Sequence, residues 1–145
     1  MIGLLQRVSA ASVTVDGDTI GQIERGLLVL VAVHRDDKER DITRLAERIL
    51  TYRVFPDAED RMNVSLIDAG LELLLVPQFT LAADTRKGTR ASFTRAASPE
   101  VGSAYFDRLV SLCRDRIDRV QSGQFGANMQ VALTNDGPVT FWLES

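Results

Sequence analysis

The 145-residue sequence contains one cysteine, one histidine, one tryptophan and four prolines. A disulfide needs two cysteines and a tetrahedral zinc site needs three or four Cys, His or carboxylate ligands, so neither an internal disulfide nor a structural zinc is expected. No metal or cofactor is expected for the same reason. Long apolar runs are also missing. The stretch Gly26 to Val33 (GLLVLVAV) is bounded by Arg25 and His34, and it falls far below the roughly 18 residues a membrane helix requires. The start of the chain, Met1 to Gln6, meets Arg7 too early for a signal peptide. A cytoplasmic, reducing location is therefore expected, with no membrane partner. Charge of one sign is not in strong excess. With 17 basic against 20 acidic side chains the net charge is −3, so contact with nucleic acid must rest on a local patch. Against these absences, 45% apolar and 26% charged residues match ordinary globular averages of about 45–50% and 25%. The length suits a single domain spanning residues 1–145.

Patterning along the chain points to a mixed α/β fold. Val13 and Val15 alternate with Ser12 and Thr14, and Asp16-Gly17 offers the positive-φ turn of a hairpin returning through Thr19 to Glu24. Gly26 to Val33 reads as a central strand buried on both faces. From Asp37 to Arg53 the period changes. Ile42, Leu45, Ile49 and Tyr52 define one apolar face of a helix that Asp36 or Asp37 can cap. Leu71 to Val76 is again strand-like, so strand, helix and strand predict a crossover and one parallel pair. Ser98-Pro99 opens a second helix expected to bury Val101, Tyr105, Leu109, Leu112 and Cys113, with Asp107, Arg108, Arg114 and Asp115 outside. Two further strands are expected, one through Met129, Val131 and Leu133 and one through Val139, Phe141 and Leu143, separated by a turn at Asn135-Asp136-Gly137-Pro138.

Residues able to do chemistry are few. His34 ends an apolar strand and Cys113 lies on an apolar helix face, where the one is expected to be a solvated strand-end side chain and the other a small core hydrophobe. Cys-His and Ser-His-Asp arrangements are then absent. Pro77-Gln78-Phe79-Thr80-Leu81 extends the Leu71 strand, and alternation places the Gln78 amide and the Thr80 hydroxyl on one face, opposite Phe79 and Leu81. A polar face at a strand end explains the same pattern. Between Asp84 and Arg95 the chain carries Arg86, Lys87, Arg90 and Arg95 against Asp84, a local +3 while the remainder is −6. A basic glycine-containing loop with Phe93 suits phosphate contact, and equally suits a solvated surface. Ser122-Gly123-Gln124-Phe125-Gly126 presents a glycine-flanked aromatic, either a bulge or a platform for something planar.

Taken jointly, PQFTL, ADTRKGTRASF, GQFGANMQV and NDGPVT, with Gln6-Arg7-Val8 and Met62-Asn63-Val64-Ser65-Leu66, closely resemble the D-aminoacyl-tRNA deacylases over essentially the whole chain. The resemblance implies a three-layer α/β/β fold with largely antiparallel, barrel-like sheets and two main helices. It also implies a homodimer with active sites at the subunit interface, and hydrolysis of the ester joining a D-amino acid, or mischarged glycine, to tRNA. It implies that Gly137-Pro138 is a cis pair reaching into the partner's pocket to exclude L side chains by its backbone carbonyls. By the same resemblance Gln78 and Thr80 are the catalytic candidates, and Phe79, Phe125 and Met129 join Gly137 and Pro138 as substrate-binding residues, with Phe125 near the terminal adenosine. Arg86, Lys87 and Arg90 are the expected tRNA contacts.

The chemistry is coherent with the bare residues. An aminoacyl ester is already activated, so a site that positions water and stabilises an oxyanion can omit a strong side-chain base. The neighbouring ribose 2′-OH assisting proton transfer is the favoured route; Thr80 as nucleophile is the rival. Two departures stand out from the resembled pattern: Pro77 replaces the usual serine, removing a hydroxyl and a backbone N–H, and Ala91 replaces a common proline. A binding-only relative that holds tRNA as a dimer without turnover is the alternative.

Overall fold

The computed structural model describes residues 1–145. Strand β1 (Ile2–Val15) and strand β2 (Asp18–Ile23) form the expected hairpin. Its two turn residues, Asp16 (φ 49°) and Gly17 (φ 84°), both take the left-handed conformation that a two-residue hairpin requires. Strand β3 (Gly26–Ala32) pairs antiparallel with the first half of β1 and parallel with the next sheet strand, Glu72–Pro77. Between them lie helix α1 (Glu39–Thr51), a small two-stranded sheet of β4 (Arg53–Pro56) and β5 (Met62–Ser65), and the single-turn helix α2 (Leu66–Ala69). The Glu72–Pro77 strand is therefore β6. Helix α3 (Pro99–Arg114), β7 (Val120–Ser122) and the long β8 (Gln130–Glu144) complete the chain.

Burial follows the strand period. Leu27, Val29, Val31, Leu73 and Leu75 face α1 and α3, packing against Ile42, Leu45, Phe106 and Leu109. Leu28, Leu74 and Val76 point the opposite way and join Val8, Ala11, Val13 and Ile23 in a second cluster. The expectation that Gly26 to Val33 is buried on both faces is met. One edge of β1 carries β8 along nearly its whole length, while the other carries β3 and then β2. The sheet curls until Gly21 of β2 lies against Leu74 and Ser122 of β6 and β7. A helical layer, a sheet and a folded-over second sheet result, so the fold is mixed α/β with a nearly closed barrel. No helix is long and apolar enough to cross a membrane.

Three local expectations are corrected. Lys38, not Asp36 or Asp37, caps α1, and its N–H donates to Asp41 Oδ2 at 2.8 Å. Asp37 is committed elsewhere, accepting from the His34 N–H (2.6 Å) and the Met1 amino group (2.7 Å). In α3 the buried row is Gly102, Phe106, Leu109, Val110 and Cys113, while Val101 is exposed and Tyr105 and Leu112 are half-buried. The apolar stripe covers two adjacent rows, and the sheet beneath selects one. Finally, Asn135 to Pro138 does not separate two strands. β8 is continuous against β1, and Asp136 to Val139 bulge out opposite Arg7, between the pairs Val8–Asn135 and Gln6–Thr140.

Gly26 leaves no room for a side chain beside β6, since a Cβ there would overlap the Glu72 carbonyl oxygen. Backbone cannot swing aside as a side chain can, so Gly26→Ala is expected to cost at least about 3 kcal/mol. Urea unfolding checks this through a lowered midpoint at unchanged slope.

Candidate active site

β6 ends where its partner ends. Pro77 pairs with Val31 and the Gln78 N–H donates to the Val31 carbonyl at 2.7 Å, but β3 stops at Ala32, leaving nothing further to pair with. The chain turns at Gln78 (φ −141°, ψ 76°) into a 3₁₀ turn over Phe79–Ala82. The expected strand extension through Leu81 is thus corrected, because five alternating residues do not distinguish a strand from a tight turn. The juxtaposition it aimed at is nonetheless present. Gln78 Nε2 donates to Thr80 Oγ1 at 2.5 Å. Starting a 3₁₀ turn here also leaves the Phe79 and Thr80 N–H groups without an intrahelical acceptor.

Beside this turn lies a cleft of about 460 Å³, bordered by Val76 to Phe79 on one side, Phe125 to Met129 on the other and Ala97 and Pro99 between. Phe125 reaches it over α3 at Gly102, where an added Cβ would stand 3.0 Å from the ring's Cζ. Met129 folds its own loop together: the Gln124 N–H donates to its sulfur at 3.4 Å, and the sulfur lies over Gly123. Phe79 is 55% exposed and packs against exposed Phe93 in a tilted arrangement, ring centroids 5.1 Å apart and planes inclined by 49°. Four candidates, Gln78, Phe79, Phe125 and Met129, therefore share one cleft, with Thr80 attached through Gln78. Sequence reading did not single out Gly102, for which glycine inside an amphipathic helix was the available signal; Gly123 belongs to the glycine-flanked aromatic motif noted in the sequence.

Gly137 and Pro138 lie elsewhere. Their peptide bond is cis. The bulge that holds them sits opposite Arg7, which pairs with Leu27 near the start of β3, whereas the cleft opens beyond Val31 near its end. Arg7 Nε donates to the Asp136 carbonyl (3.0 Å) and its Nη1 to the Val54 carbonyl (2.7 Å), while Asp136 pairs with it at 3.5 Å. Asn135 Oδ1 accepts from the Val139 N–H (2.8 Å) and its amide donates to Thr140 Oγ1 (2.7 Å). Gly137 has φ 136°, and a Cβ there would approach Val139 Cγ2 to 2.7 Å. Arg7 and Asn135 are the residues that shape this bulge, and no sequence period marks them.

The basic segment is closed by a backbone bridge between Asp84 and Ser92 (2.8 and 3.1 Å), and Arg86, Lys87 and Arg90 are all exposed. Arg86 grips Asp84 through Nε (2.9 Å) and Nη2 (2.5 Å), and these bonds hold the Asp84 carboxyl well below the usual carboxylate range. Lys87 and Arg90 make no ion pair. Cys113 is buried, its thiol pushed up to about 12 by desolvation. His34 is half-buried away from the cleft, and burial lowers its pKa.

The family model described as D-Tyr-tRNA(Tyr) deacylase matches residues 4–144. The chain belongs to this family. A D-aminoacyl-tRNA deacylase of Alkalilimnicola ehrlichii is 63% identical over 145 residues, covering 100% of this chain and 97% of that protein. One from Escherichia coli O1:K1 is 54% identical over 144 residues, covering 99% of each. Among solved structures, the c-Myc DNA Unwinding Element Binding Protein superposes with a TM-score of 0.95 at 37% identity, covering 100% of this chain and 99% of that one. A probable eukaryotic D-amino acid tRNA deacylase shares the fold, with a TM-score of 0.86 at 21% identity over 99% of this chain and 98% of that one.

In this deacylase Gly102→Ala tests how the cleft is shaped. Alanine's helix propensity offsets the new contact, so stability should stay within about 1 kcal/mol. The displaced Phe125 ring should raise KM several-fold at unchanged kcat. A wild-type KM would show that the ring moves aside freely.

Proposed function

We propose that the chain is a single deacylase domain that hydrolyses the ester between a D-amino acid, or glycine, and the 3′ end of tRNA, releasing both. The observation that carries this reading is the convergence of Gln78, Phe79, Phe125 and Met129 on one cleft in a member of this family. The cleft has an apolar wall suited to a nucleoside, ending in an amide, a hydroxyl and free backbone donors suited to an ester.

The chemistry follows from those groups. The Phe79 and Thr80 N–H groups stabilise the oxyanion as water attacks the ester carbonyl, and the alcohol leaves with the proton. Thr80 Oγ1 is the acceptor of a hydrogen bond from Gln78, and no carboxylate or imidazole borders the cleft to take its proton. This favours water assisted by the ribose 2′-OH over a threonine nucleophile. Gln78 then holds Thr80 in place, and Pro77 maintains the turn without the hydroxyl found at this position in the resembled pattern.

Chiral selection needs a second copy of the chain. Gly137 and Pro138 are too far along β3 to enter their own cleft, so in a homodimer each bulge enters the partner's cleft, where backbone carbonyls occupy the space of an L side chain. Arg7 and Asn135 keep that bulge rigid. Lys87 and Arg90 contact tRNA phosphates, with Arg86 contributing less because Asp84 already neutralises it. The activity is a quality-control step of translation, carried out in the cytoplasm where charged tRNA resides.

Single-turnover release from matched D- and L-tyrosyl-tRNA should show rapid cleavage of the D ester and sparing of the L ester. Gly137→Ala should narrow that discrimination at least tenfold, because the bulge must rearrange around the new Cβ. Equal cleavage of both esters by the wild type, or tRNA binding without turnover, would overturn the reading. Thr80→Ser should retain most activity and Thr80→Ala a measurable fraction. Complete loss in both, with binding intact, would overturn the 2′-OH route, and loss in Thr80→Ala alone would point to Thr80 as the nucleophile.

A further inference from the structure

A second recess, of about 450 Å³ and lined wholly by polar side chains, lies at the start of α1 on the far side of residues 95–97 from the cleft. Arg35, Arg40 and Arg95 border it, as do Asp36, Asp37 and Asp41. Formal charges cancel, but the carboxylates are already engaged. Asp37 accepts from the Met1 amino group and the His34 N–H at 2.7 and 2.6 Å. Asp41 accepts from the Lys38 N–H at 2.8 Å. Asp36 reaches only Arg35, at 3.6 Å. Arg40 and Arg95 make no ion pair. The recess therefore presents two unpartnered guanidinium groups, the side chain best suited to grip a phosphate through two parallel N–H bonds.

Its position relative to the cleft gives it meaning. The Arg35 N–H donates to the Arg95 carbonyl (3.0 Å), His34 bridges Ala96, and the Ala97 N–H donates to the Val33 carbonyl (3.0 Å). Residues 95–97 are thus tied to the end of β3, with Arg95 facing the recess and Ala97 bordering the cleft. Two residues of extended chain span about 7 Å, a distance comparable to one nucleotide of backbone. The basic hairpin closed by Asp84 and Ser92 leads into Phe93, which packs against Phe79 of the cleft.

We propose that Arg40 and Arg95, with Arg35 beside them, form a second phosphate-binding pocket that takes a backbone phosphate of the tRNA acceptor strand while the terminal nucleoside sits in the cleft. This rests on the deacylase reading of the cleft. The pocket extends substrate recognition upstream of the ester, so it governs binding of whole tRNA and leaves the reacting atoms untouched. A phosphate contact is independent of base identity and weakens with salt through counterion release.

The test compares wild type with Arg40→Ala, Arg95→Ala and the double variant on D-tyrosyl-tRNA and on 3′-O-D-tyrosyladenosine, across a potassium chloride series. With whole tRNA, each substitution should raise KM several-fold at unchanged kcat. The slope of log(kcat/KM) against log[salt] should become shallower by about 1 per arginine removed. The nucleoside ester, which lacks upstream phosphates, should be cleaved by all four proteins alike. A wild-type salt slope in the variants overturns the proposal, as does an equal loss on both substrates, which would make the arginines supports of the cleft. Arg40 lies on the exposed face of α1, so Arg40→Ala decides the matter if Arg95→Ala fails to fold. If the wild type cleaves neither ester, the deacylase reading fails separately, and the salt dependence of tRNA binding by the same proteins still decides the pocket.

Discussion

Everything in this molecule is hung on the parallel pairing of β3 with β6. Leu27, Leu28 and Val29 of the first and Leu73, Leu74 and Leu75 of the second are fully buried, alternately toward the helices and toward the barrel interior. Each such side chain contributes about 1.5–3 kcal/mol of apolar transfer, and pairing on both edges leaves the register no freedom to slip. At their start Gly26 admits no Cβ against the Glu72 backbone. Because the pair ends abruptly at Ala32 and Pro77, the chain must turn at Gln78, and the cleft opens at the carboxyl end of these strands. That is where parallel sheets commonly place their ligands.

The turn determines the chemistry available. A strand continuing through Leu81 would spend its backbone donors on a neighbour, whereas the start of a 3₁₀ turn leaves two N–H groups free beside the Gln78–Thr80 pair. The two side chains most often enlisted as base or nucleophile are kept out. Cys113 is buried with a raised pKa, and His34 lies at another strand end. An activated ester suits such a site, since positioned donors lower its barrier without a proton acceptor on the protein. Deacylation is the reaction that most directly fits both the family and these groups.

Charge is arranged on the same plan. The chain is acidic overall, yet Lys87, Arg90 and Arg95, none of them in an ion pair, lie on the segment that runs from the basic hairpin to the cleft, and Arg40 stands beside Arg95 in the neighbouring recess. Three other arginines are tied into local pairs, Arg108 with Glu39, Arg116 with Glu47 and Arg119 with Glu72. Exposed pairs of this kind contribute little stability.

Much of the scaffold could be read directly from residue order. The Asp16-Gly17 hairpin, the doubly buried strand at Gly26, the Ile42-Leu45-Ile49 helix face and the Ser98-Pro99 helix start all rest on local periodicity and turn preference, and each is found as expected. The motifs of the cleft were legible only in combination, through resemblance. Local pattern misplaced what depends on neighbours: the end of β6, which β3 terminates; the row of α3 that the sheet covers; and the bulge at Asp136 to Val139, which resembles a turn until β1 is seen running beside it. Arg7 and Gly102 became meaningful only once their partners, Asp136, Val54 and Phe125, were in place. Amino-acid order by itself determined which segments form strands and helices, because those preferences act within a few residues. Tertiary structure alone decided where each ends and which side chains meet, because pairing partners and steric neighbours come from distant parts of the chain.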